Sequence, residues 1–283
     1  MLWLLGLLAL VGCTRMDLAY RNLDTLIPWT LDDYLDMNRE QKRWFEDRLA
    51  EHLRWHCQTQ LPGYLPWLDR FERGVAERSL DDRTLRTLTG EAEQAAVAVA
   101  VQITPSAVEL LQQLSDQQVG DLKAAFAKDI AKRRAEKVAP PLDEQVQRRA
   151  SKMIKRLEPW LGDLHPQQIN AVQDWSRQLG ARDRIALEAR ARWQQALLEA
   201  LAHRREPGFD ARVSQLLQRR ETLWPTAYKD ERARSGAAAR QLTLELLRLS
   251  DADQRRQLIE RLQRLRERFA SLSCLNKGAT PPR

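Results

Sequence analysis

No familiar catalytic signature runs through this chain of 283 residues. There is no GxSxG elbow, no GxxxxGK[ST] phosphate loop, no GxGxxG turn, no HExxH pair and no EF-hand loop. Cysteine is scarce as well, at positions 13, 57 and 274, with no two close enough for a CxxC redox or zinc motif. Glycine and proline number only 11 and 12, which excludes collagen-like and low-complexity chains. No convincing strand pattern appears, and no apolar run reaches the roughly 20 residues of a membrane-spanning helix. What is present is 43% hydrophobic and 30% charged residues with a mean hydropathy of -0.56. That composition predicts a soluble, helix-rich globular body, of a length that suits one large domain or two ordinary ones.

The N-terminus is the most informative stretch. Leu2 to Val11 are all apolar or Gly, the run stops at Gly12-Cys13, and Thr14, Arg15 and Asp17 end the pattern at once. A short apolar segment that closes on small residues is a secretory signal, and Leu10-Val11-Gly12-Cys13 resembles the lipobox of bacterial lipoproteins, although no Lys or Arg precedes the run. The resemblance implies cleavage before Cys13 and lipidation of its thiol, palmitate included. It also implies sorting to the inner leaflet of the outer membrane, since Thr14 rather than Asp follows the cysteine. The body then faces the oxidising periplasm. The expected organisation is a signal peptide at 1–12, a lipidated tether at 13–29, a single helical domain at 30–275 and a disordered tail at 276–283.

Past the tether, apolar residues recur at threes and fours. Leu31, Tyr34, Leu35, Phe45, Leu49 and Leu53, with His56, form the stripe of one long amphipathic helix that Pro62 is expected to end. Further helices are expected at 64–77, 82–101, 105–113, 116–138, 142–160, 166–204, 209–248 and 251–272, with prolines and Gly180 at the joints. The predicted fold is all-α, an elongated multi-helix bundle. A weak repeat marks several helix starts: Met37 to Gln41, Leu114 to Gln118 and Leu164 to Gln168 each read as apolar residue, cap, two residues, glutamine. Leu249 to Asp253 reads as a fourth copy with an acid in place of Gln. The chemistry is that of a capping box. The same pentads resemble those of small periplasmic helical chaperones of the Spy type.

A broader resemblance rests on Cys13, Asp17 to Asp24, Trp29, Asp32-Asp33-Tyr34-Leu35, Gln41, Trp55-His56, Leu61-Pro62 with Tyr64, Leu157 to Leu164, and Gln168 with Trp175. These resemble an uncharacterised family of proteobacterial lipoproteins built around a domain of unknown function. The resemblance implies a lipoprotein and an all-helical body, and no activity.

Few residues suggest a site. His52 and His56 are spaced to face one metal, with Glu46, Asp47 and Glu51 nearby, yet they also fall beside Leu49 and Leu53 on the packing face. Packing is the favoured reading, and no cofactor is expected. The acid pairs Asp32-Asp33 and Asp81-Asp82 are expected at helix starts. Most tryptophans are expected in the core, while Trp160 and Trp224, each beside a proline, are candidates to line a groove. Cys57 and Cys274 remain after lipidation as a possible disulfide. The net charge of +7 equals the excess between Lys123 and Arg156, where eleven basic residues meet four acids. If Pro140-Pro141 turns the chain, Lys128, Lys132 and Arg133 lie on one arm of a hairpin and Arg148, Lys152 and Lys155 on the other. That stripe is a candidate surface for an anionic envelope component or protein partner, and an exported chain would not meet nucleic acid. The expected function is a non-catalytic, periplasm-facing lipoprotein, bound to the membrane through its lipid anchor, that binds or scaffolds an envelope partner, with a chaperone-like role among its readings. The alternative is an envelope enzyme or metal-binding protein centred on His52 and His56.

Overall fold

The computed structural model describes Tyr20 and residues 22–272, and no strand occurs among them. In chain order the helices are α1 (Leu23–Asp32), α2 (Arg39–Trp55), a π-helical turn (His56–Gln60), α3 (Leu61–Ala76), α4 (Asp82–Gln112), α5 (Asp116–Lys137) and α6 (Leu142–Leu161). They continue with α7 (Pro166–Gln178), α8 (Arg182–Ala202), α9 (Phe209–Gln218), a 3-10 turn (Arg220–Leu223), α10 (Thr226–Leu249) and α11 (Ala252–Ala270). The all-α bundle expected from periodicity is the observed architecture.

Several boundaries differ from the sequence reading, each for a local reason. The tether does not run to residue 29, because Tyr20 already packs on the body and α1 starts at Leu23. Asp32-Asp33 close α1 instead of opening a helix, and Asp32 pairs with Lys42 at 3.3 Å. Pro62 does not stop the chain. The preceding π turn, closed by the Leu61 N–H on the His56 carbonyl, gives the proline the first-turn position where a missing N–H leaves no gap. Pro105 sits inside one continuous 31-residue α4, where it and Val101, the residue whose carbonyl it cannot satisfy, are both exposed. Gly180, at φ +49, does break the expected helix 166–204, and Pro225 breaks 209–248.

Three apolar clusters hold the helices together. In the first, Cys57, Leu61, Leu68 and Val75 pack on Leu258, Leu262, Leu265, Phe269 and Leu272, closed by Trp160 and Leu161. Beside Val75, α3 carries Gly74 because Leu80 packs against its backbone: a Cβ there would lie 2.5 Å from the Leu80 side chain. The second joins Leu35 and Met37 to Leu110, Leu114, Leu122 and Phe126, and to Leu201, Phe209 and Val213 of α8 and α9. The third packs Ala150 on Val172, Trp175, Ala238, Leu242 and Leu246. Each fully buried side chain of this size stabilises by about 1.5 to 3 kcal/mol relative to exposure.

Pro140-Pro141 does turn the chain. The arms then part: α5 packs on α8, whereas α6 packs on α7 and α11, and the two do not run along each other. They touch near the turn, where the Gln145 amide donates to the carbonyls of Val138 (3.1 Å) and Pro140 (2.8 Å). The side-by-side hairpin expected from the double proline is therefore not formed, because each arm has a better apolar partner elsewhere.

Candidate functional site

The polar interior is organised around helix starts. Asn38 caps α2 and Ser115 caps α5, and in each case the third helical residue, Gln41 or Gln118, turns back so that its amide oxygen accepts the cap N–H, at 3.0 and 2.9 Å. The two amides then meet across the bundle. Gln118 Nε2 donates to Gln41 Oε1 at 2.8 Å, and Gln41 Nε2 lies 3.4 Å from Gln118 Oε1. Their remaining donors reach the carbonyls of Asp36 and Gln113.

The same box recurs at the start of α7, and at the start of α11 the Asp251 carboxylate accepts the Gln254 N–H at 2.8 Å. Gln168 Oε1 accepts the His165 N–H at 2.9 Å, and Gln168 and Gln254 exchange amide hydrogen bonds at 2.9 and 3.0 Å. The cap side chains meet too, His165 Nε2 with Asp251 Oδ2 at 2.9 Å. The fourth pentad is thus Ser250 to Gln254, one residue later than the sequence reading, and it does carry its glutamine. Ser250 stands where the other copies have an apolar residue, which is why the apolar Leu249 mimics the first position of the pattern.

The imidazoles are committed to neighbours. His52 Nε2 sits 2.9 Å from Ser106 Oγ on α4, and Glu51 pairs with Arg48 at 2.9 Å. His56 lies between two phenols, Nδ1 3.1 Å from the Tyr20 hydroxyl and Nε2 3.2 Å from that of Tyr64. Burial lowers the pKa of both histidines, pushes Tyr20 up to about 12 and raises Tyr64. The two rings therefore serve different partners, and among the described residues no group of three or more His, Cys, Asp or Glu is placed to hold a metal. Cys57, 2% exposed inside the π turn, is disulfide-bonded. Cys13 and Cys274 both lie outside the described residues, and Leu272 packs in the same cluster as Cys57.

The basic residues divide into two groups. On α6, Arg148, Lys152 and Lys155 share one open helix face with Glu144, Gln147 and Ser151. Arg148 is ion-paired with Glu144, while Lys152 and Lys155 are exposed. On α5, Lys128 and Lys132 are exposed, but Arg133 is drawn to Asp129 at 2.7 Å, alongside Arg190. Burial works to raise the Asp129 pKa, and the hydrogen bonds from Arg190 and Arg133 outweigh it and hold the carboxylate low.

The expected groove at Trp160 is absent: that ring is 6% exposed and filled into the first cluster. Trp224 is partly exposed, with Arg232 stacked 4.9 Å from the ring centre and Tyr228 edge-on at 5.2 Å. Two apolar surfaces escaped the sequence reading. Leu26 and Trp29 are exposed on α1, and Val97 and Val101 on α4, a helix long and apolar enough by length and composition to cross a membrane, yet packed on α2, α9 and α10. An uncharged stretch from Gln94 to Val108 was the available signal for the second.

An all-helical body of this kind, bearing paired glutamine caps, matches one family model. Residues 33–229 fit the family of unknown function DUF6279. The chain belongs to that family. No curated protein and no solved structure matches it.

Proposed function

We propose that this chain is a lipid-anchored, non-catalytic protein of the bacterial envelope that faces the periplasm and binds or scaffolds an anionic partner. The observation that carries the reading is the commitment of His56 and the buried glutamine amides to helix starts and joints, and of His52 Nε2 to Ser106, while Lys152 and Lys155 stand exposed on one open face of α6. The lipobox resemblance at Leu10 to Cys13 supplies the anchor. The disulfide at Cys57 supports export, because such bonds persist in oxidising compartments. We further assign its partner as Cys274, which leaves the Cys13 thiol for lipid. The chaperone-like reading rests on the glutamine pentads, which here form buried pairs and place no client surface.

Fractionation and charge removal test the proposal together. Wild type expressed from a start with a basic n-region pellets with membranes and dissolves in detergent, while Cys13→Ala is released or left unprocessed. Identical soluble behaviour of the two overturns the anchor. Replacing Lys152 and Lys155 with Gln lowers retention on anionic vesicles and lipopolysaccharide more than replacing Lys128 and Lys132. High salt removes the difference, since exposed charges are screened beyond about 10 Å at 0.1 M. Equal retention of all variants overturns the surface.

A further inference from the structure

Helix α1 presents Trp29, 76% exposed, with Leu26, 40% exposed, one turn earlier on the same face. None of its ten residues is fully buried. The opposite side, Leu23, Ile27 and Leu31, is half-buried where α1 packs on α2. The helix is therefore held to the body by one face and offers a tryptophan and a leucine outward.

Where that face lies relative to the anchor follows from chain length. Tyr20, three residues before α1, is fixed to the body by its contacts with His56 and Phe269. Six residues lie between Cys13 and Tyr20, and the seven steps that join them span at most about 25 Å even when fully extended. Helix α1 adds only about 15 Å beyond it. A lipid on Cys13 thus keeps Tyr20 and α1 close to the headgroups.

We propose that the Leu26–Trp29 face of α1 docks on the bilayer surface and fixes the orientation of the body on the membrane, an inference that rests on the lipid-anchor reading. The chemistry suits the depth: an indole ring is apolar with one N–H donor and favours the headgroup boundary. A contact of one helical turn is weak alone, and the covalent lipid makes it intramolecular. Helix α1 contains Asp24 and Asp32 and no Lys or Arg. Its contact is therefore apolar and independent of anionic lipid, unlike the lysine face of α6.

The test uses the mature protein in neutral phosphatidylcholine vesicles, with and without lipid carrying a nitroxide near the headgroup. Wild-type fluorescence is quenched by about one tryptophan's share of the eight beyond residue 12. Trp29→Phe removes that quenching, and Leu26→Asp weakens it while leaving the circular dichroism unchanged. The N-terminal peptide is weighed separately for its lipid. Equal quenching in wild type and Trp29→Phe, on protein shown to carry lipid and to float with vesicles, overturns the docking alone. Association of two copies through this face, without quenching, overturns it as well. An N-terminal peptide without lipid overturns the anchor, and the docking with it.

Discussion

Gln168 and Gln254 stand 86 positions apart, and each side-chain amide donates to the other's oxygen inside the bundle. Their spare donors reach Ser250 Oγ (3.3 Å) and the Asp163 carbonyl (2.9 Å), so the pair closes with its amide groups satisfied. Together with Gln41 and Gln118, this makes the helix starts the points where the bundle is tied across long sequence separations.

The glutamine pair predicts a measurable coupling. Truncating Gln168 or Gln254 to Ala leaves the partner's buried amide unsatisfied and costs about 1 to 3 kcal/mol. The double replacement costs less than the sum of the singles, because neither orphan remains. Urea unfolding of the four proteins checks this, and strict additivity contradicts it.

The disulfide predicts a loss of stability on reduction. The proposed bond from Cys57 to Cys274 would close a loop through α3 to α11, and Cys274→Ser would then lower stability by about 2 to 4 kcal/mol. Peptide mapping of unreduced protein shows one crosslinked species holding Cys57 and Cys274. A Cys57 to Cys13 species removes both the pairing and the lipid site.

Acid should weaken the first cluster. Burial lowers the folded-state pKa of His56 from 6.5, so the unfolded chain binds the extra proton first. The contribution of neutral His56 is complete above about pH 6.5 and is lost as pH falls through the lower folded value. Tyr20 acts at the other end: with its pKa raised from 10.0 to about 12, its contribution is full below pH 10 and is lost as pH rises toward 12. Thermal melts from pH 5 to 8 on wild type and His56→Gln test the acid limb, and the variant shows the shallower slope. Parallel curves contradict the assignment.

Much of the bundle was legible in the sequence because helix periodicity and capping are local. The stripe from Phe45 to Leu53, the caps Asn38, Ser115 and Asp81, and the turn at Pro140-Pro141 follow from residues within a few positions of each other, whereas Tyr34 and Leu35, expected in that same long helix, lie in the loop between α1 and α2. Proline was less reliable, since a missing N–H matters only where no π turn, first-turn position or solvent compensates, as at Pro62 and Pro105. Pairing was out of reach. Which cap meets which, that α5 chooses α8 over α6, and that His52 reaches Ser106 while His56 meets Tyr20 depend on contacts between residues 36 to 86 positions apart and on which surfaces bury the most apolar area. Exposure was equally hidden: Trp160 and Trp29 both stand beside a proline, and only the packing of the helices buries one and leaves the other to solvent.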